Sequence, residues 1–197
     1  MINKSENIKN GNSLTKTRHM VFLALMVSIA LVLSIVESWL PVPQPVPGIK
    51  LGLANIITVI VITFYGYRDT LMVVCARCIL ASLYTGGLMS FFFSFTGGML
   101  SAAVMAFIYK KASGVFSLTG ISIVGAVFHN VGQILVACLI MKDITVLAYL
   151  PVLLVSGIVT GFFVGLCSRF FSDTIRKSGI INKPYRSFAK QSEENLK

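Results

Sequence analysis

Within the apolar run from Gly120 to Met141, the stretch Gly125-Ala126-Val127-Phe128-His129-Asn130-Val131-Gly132-Gln133 carries hydrogen-bonding side chains and no formal charge. His129 and Gln133 stand at i and i+4, Asn130 and Gln133 at i and i+3, so one helix projects all three toward one side. At about 1.5 Å of rise per residue, the run is long enough to cross a hydrocarbon core of about 30 Å. Lipid offers these groups neither donors nor acceptors. They must turn inward, either to bond across helices or to line a binding or transport site.

Other polar residues fall at a similar level. Arg77 lies midway along an apolar run, where a guanidinium costs about 2.5 to 3.5 kcal/mol on insertion scales. It must find water, an acid or an anion. Pairing with Glu37 is the structural solution, and an anionic ligand group is the functional one. Glu37 lies just inside Trp39, an interfacial anchor, and either snorkels to water or faces a pocket. Lys50 is the basic residue of the following loop, and Asn55, one turn deeper than Leu51, needs a partner from protein or ligand. Cys75 and Cys78 flank Arg77 in a CxxC spacing, without the second cysteine pair or nearby histidine that a zinc site would use. No metal and no cofactor are expected.

These residues need a scaffold, and the composition says which kind. Of 197 residues, 55% are hydrophobic and 12% charged, with mean hydropathy +0.83, more apolar than a soluble domain of this size can hide. The fold class expected is an all-α integral membrane protein. Alternating ten-residue amphipathic segments are absent, against an outer-membrane barrel. The net charge of +10 resides in tails and short loops, not on an aromatic-laced surface, against nucleic acid as a partner. A cleavable signal is not expected, because the first apolar run is long and leads into proline-rich sequence.

In chain order the expectation is a flexible cytoplasmic tail over 1–18, a six-helix membrane domain over 19–172 and a basic cytoplasmic tail over 173–197. The spans are placed at about Met20 to Leu40, Ile49 to Tyr65, Thr70 to Tyr84, Leu88 to Tyr109, Gly120 to Met141 and Ile144 to Phe171. Pro41-Val42-Pro43-Gln44-Pro45-Val46-Pro47-Gly48 is predicted to lie extended over the outer face, as a connector or a lid. Gly157, Gly161 and Gly165 form a GxxxGxxxG groove for close helix packing, and Ala24 with Ser28 forms a small-residue pair on the first span. Six spans with both termini inside place fourteen of the 17 Lys and Arg residues on the cytoplasmic side, with Lys50 and Lys142 outside and Arg77 within the membrane. Glu37, Lys50, Asn55 and Gln133 then sit in the outer half, with Arg77, His129 and Asn130 nearer the middle, around a cavity expected to open outward.

Pro47 to Asn55, the Arg77 helix, the Gly97-Gly98 helix and Gly125 to Gln133, in that order, resemble the family called Gx transporters, often labelled component I of heptaprenyl diphosphate synthase, over about residues 18 to 172. That family is in turn similar to the substrate-binding S components of energy-coupling factor (ECF) vitamin transporters. The resemblance implies a helical bundle in the cell membrane that captures a small vitamin-like solute and docks on a transmembrane coupling subunit carrying two ATPases. Ala24 and Ser28 stand where S components contact that subunit.

Catalysis is not expected. Prenyl diphosphate synthases hold magnesium on DDxxD carboxylates, whereas the seven acids here are dispersed, with Glu193-Glu194 in the tail as the adjacent pair. No G-x-x-x-x-G-K-[ST] occurs, so any use of ATP falls to partners. The function expected is that of a transport subunit for a small anionic or amide-bearing solute. Glu37, Lys50, Asn55, Arg77, His129, Asn130 and Gln133 are its expected binding residues. The alternative is a noncatalytic membrane subunit of prenyl or quinone synthesis or of flavin-linked electron transfer.

Overall fold

The computed structural model describes residues 4–39, 50, 52–85, 87–112 and 116–178, with the backbone alone for 4–16, 85 and 176. The proline-rich segment, Gly86 and the tail beyond 178 lie outside the described residues. Six α-helices follow one another: α1 (Lys4–Trp39), α2 (Asn55–Phe64), α3 (Tyr67–Thr85), α4 (Leu88–Ala112), α5 (Leu118–Met141) and α6 (Leu150–Lys177). A 3₁₀ segment, Ile144–Tyr149, precedes α6. Pro151 explains the break, since proline lacks the N–H that a continuous helix would need there and fits a first helical turn. α1 begins at Lys4, well inside the segment expected to be a tail, and α6 runs to Lys177.

Among the described residues six helices form, but four segments, not six, are long and apolar enough to cross a membrane: Thr17–Trp39, Leu88–Ala112, Leu118–Met141 and Ile144–Ile175. The other two depart from the expected spans for different reasons. α2 has 10 residues, which gives about 15 Å, half a hydrocarbon core. α3 has 19 residues but carries Arg68, Asp69 and Arg77, which lower its hydropathy. α2 is enclosed rather than lipid-facing, with Asn55 and every residue from Ile57 to Phe64 buried. Its two sides enter different cores. Ile57, Ile60, Val61 and Phe64 pack with Met26 and Ala30 of α1 and Val73 of α3, while Val59 and Ile62 pack with Met105 of α4 and Ile121 of α5.

α5 packs most extensively against α4 and α6, and glycine makes both contacts possible. A Cβ at Gly161 would lie 2.8 Å from Ile123 Cα, and one at Gly165 would lie 2.7 Å from Thr119 Cα. The predicted GxxxGxxxG groove thus receives the backbone of α5. On the opposite side, a Cβ at Gly132 would lie 2.9 Å from Gly97 Cα, so α4 and α5 meet backbone to backbone. Without a hydrophobic force between helices in lipid, such close contact is what holds them together. The outer surface is apolar, with Leu83, Leu88, Leu139 and Phe163 well exposed.

Gly161→Val forces backbone apart at the α5–α6 contact and is expected to cost about 1 to 3 kcal/mol. Thermal unfolding of purified protein in detergent reads this as a lowered midpoint, whereas Val159→Ala, on the exposed side of α6, leaves the midpoint within about 2 °C.

Candidate functional site

Five segments bring polar groups to one level of the bundle. Ser34 and Glu37 come from α1, Lys50 and Gly52 from the segment before α2, Asn55 from its first residue, Arg77 from α3, and His129 with Gln133 from α5. Glu37, Asn55, Arg77, His129 and Gln133 are all buried, none more than 6% exposed, and Lys50 is half-buried. Adjacent glycines on α4 serve two neighbours. A Cβ at Gly97 would lie 3.0 Å from Gln133 Cγ and 3.1 Å from His129 Cε1, while one at Gly98 would lie 3.0 Å from Arg77 Nη2. Successive helix positions point about 100° apart, so α4 admits the α5 pair on one side and the guanidinium on the other.

Hydrogen bonds join the group. The Lys50 N–H donates to Gln133 Oε1 at 3.3 Å, which fixes the Gln133 amide so that its Nε2 faces His129 Nε2 at 2.9 Å. An amide nitrogen can only donate, so His129 Nε2 accepts. The imidazole is therefore the neutral Nδ1–H tautomer, and its Nδ1 has no hydrogen-bond partner among the described residues. The Gly52 N–H donates to Glu37 Oε1. Gly52 has φ +91°, and a Cβ there would lie 2.9 Å from Asn55 Nδ2, so only glycine suits this position.

The charges do not pair off. Arg77 donates through Nη1 to Ser34 Oγ at 3.3 Å and forms no ion pair with Glu37. Among the described residues its Nε and Nη2 have no hydrogen-bond partner, nor has either end of the Asn55 amide. By formal charge, Arg77 and Lys50 outnumber Glu37 at this level, in an apolar surrounding. Unpaired buried polar atoms each cost about 1 to 3 kcal/mol, more when charged, so this arrangement suits a group that supplies the missing partners.

Asn130, expected beside His129 and Gln133, is placed by the structure toward α6. Its Nδ2 donates to Leu153 O of α6 at 2.6 Å, and it packs where a Cβ on Gly157 would lie. Asn130 fastens α5 to α6. Ala24 and Ser28 lie apart from the site on the exposed side of α1, with Ser28 Oγ donating to Ala24 O at 2.9 Å. Sequence reasoning missed Ser34, which has no signature beyond its small-residue spacing, and Gly52, whose role depends on a positive φ. Among the described residues no cluster of His, Cys, Asp and Glu could hold a metal.

Long apolar helices, exposed large hydrophobic side chains and a buried polar level define a multi-pass integral membrane protein. The chain belongs to the heptaprenyl diphosphate synthase component I family, whose model matches residues 26–171. No curated protein and no solved structure matches it.

Because Arg77 carries unpaired donors, Arg77→Met is expected to leave the ligand-free protein as stable as wild type or more so. Asn130→Ala is expected to lower stability by about 1 kcal/mol. Thermal unfolding of both variants distinguishes a receptive group from a structural fastener.

Proposed function

We propose that the chain is the substrate-binding membrane subunit of an ECF-type transporter, taking up a small vitamin-like solute with an anionic group. The observation that carries this reading is a buried Arg77 with unpaired donors and a buried Asn55 amide with both ends unpartnered, at one level of the bundle. An anionic oxygen would meet Arg77, and an amide-like edge, one donor and one acceptor, would meet Asn55. Lys50 adds positive charge, Glu37 holds Gly52 in place, and the His129–Gln133 pair adds hydrogen-bonding groups next to Gly52. Uptake energy would come from a coupling subunit and its ATPases, with Ala24 and Ser28 on the exposed side of α1 as the contact. Both termini would lie in the cytoplasm, with α2 and α3 as the two further passes.

The family description favours a second reading, a noncatalytic membrane component that works with a prenyl diphosphate synthase. The dispersed acids speak for a noncatalytic role in either case.

Binding to the purified protein tests the transport reading. A panel of carboxylate-bearing and amide-bearing vitamins, screened by thermal shift, is expected to give a raised midpoint with at least one member. That shift is lost in Arg77→Met and reduced about tenfold in apparent affinity in Asn55→Ala. Copurification in mild detergent is expected to recover a coupling subunit with nucleotide-binding partners. Recovery of a soluble prenyl synthase whose activity depends on this chain would instead establish the second reading.

A further inference from the structure

The opposite end of the bundle, where Tyr109, Lys110 and Arg169 lie, holds a cavity of about 350 Å³. Its wall includes Tyr109 of α4, Ser117 and Thr119 at the start of α5, and Arg169, Ser172 and Asp173 of α6. The Gly165 contact creates it. By drawing the α5 backbone at Thr119 onto α6, it sets the first turn of α5 beside the positions one and two turns further along.

Three groups in this wall suit a phosphate. Ser117 caps α5, its Oγ accepting from the Gly120 N–H at 3.1 Å, so the N–H groups of Leu118 and Thr119 remain with no partner within the helix. Arg169 is exposed at the rim. Ser172 is 3% exposed, lines the cavity and has a hydroxyl without a hydrogen-bond partner. This last point is unusual within α6. Ser156, Thr160, Ser168 and Thr174 each return their hydroxyl to a carbonyl three or four residues earlier, the ordinary solution for a hydroxyl in an apolar helix. Ser172 does not.

Asp173 narrows the ligand. It lies on the same wall, one turn from Arg169, and the two form no ion pair. A carboxylate there opposes a bare phosphate but accepts from an ammonium or hydroxyl carried beside one. Beyond Tyr109 lies a second cavity of about 240 Å³, with Ile62, Ala106 and Phe107 in its largely apolar wall. Phe170 and Phe171, exposed next to Arg169, mark this level as one where the helix meets lipid. We propose that this end of the bundle binds a bilayer phospholipid. Arg169, Ser172 and the first turn of α5 take its phosphate, Asp173 takes the headgroup donor, and the cavity beyond Tyr109 takes part of an acyl chain.

Native mass spectrometry of the full chain in mild detergent tests this with three probes: phosphatidylethanolamine, phosphatidylcholine of the same acyl chains, and soluble phosphoethanolamine. Wild type is expected to retain phosphatidylethanolamine about tenfold better than phosphatidylcholine, which lacks a headgroup donor. Arg169→Gln and Ser172→Ala are expected to weaken retention about tenfold. Arg169→Lys keeps most of it, and Asp173→Asn removes the preference between the two lipids. Ser172→Ala deletes one oxygen from an unbonded site, so its fold is retained even if Arg169→Gln does not fold. Equal retention of both lipids by wild type would overturn the proposal. So would undiminished retention in Ser172→Ala, or binding of phosphoethanolamine as tight as that of the lipid.

Discussion

A guanidinium buried among apolar helices is the constraint around which this molecule is arranged. Arg77 meets one hydroxyl, that of Ser34, and forms no ion pair with Glu37. A protein selected only for stability would have placed an apolar residue at this position, because a buried charge is costly even when it is paired. Retention of the charge with two nitrogens unpaired is understandable if the missing partner arrives from outside the chain. The neighbouring Asn55 amide, unpaired at both ends, extends the same pattern to a neutral group.

The rest of the bundle positions that group. Gly97 and Gly98 let α4 approach the His129–Gln133 pair and Arg77 together, and the Gly132–Gly97 contact sets the depth at which α5 presents its imidazole. Gly52, held through Glu37, brings Asn55 and Lys50 to the same level from a segment that is not helical. α2 is short because it begins at that level. Its buried sides join α1 and α3 to α4 and α5, so the polar layer rests on a continuous apolar core.

Much of this was legible in the sequence, since lipid demands long uninterrupted apolar runs and these set the limits of α4 and α5 within a few residues. The polar residues that had to face inward were legible for the same reason, and five of them gather in one layer. What escaped were directions and partners. Asn130 follows His129 by one position, about 100° around the helix, enough to face α6 instead of the site. The i+3 spacing to Gln133 places both within a broad arc, and that arc meets two different neighbours. The ten-residue length of α2 depends on where the preceding segment turns at Gly52, and Ser34 acquires a role only once α3 lies against α1. Such facts are tertiary, and no local pattern encodes them.

The most direct measurement is an experimental structure of the protein extracted from its own membrane without removal of bound small molecules. The account predicts density that is neither protein nor acyl chain, within hydrogen-bond distance of Arg77 Nη2 or Nε and of the Asn55 amide. A bidentate Arg77–Glu37 pair with the Asn55 amide bonded to backbone, and no room between them, would contradict it.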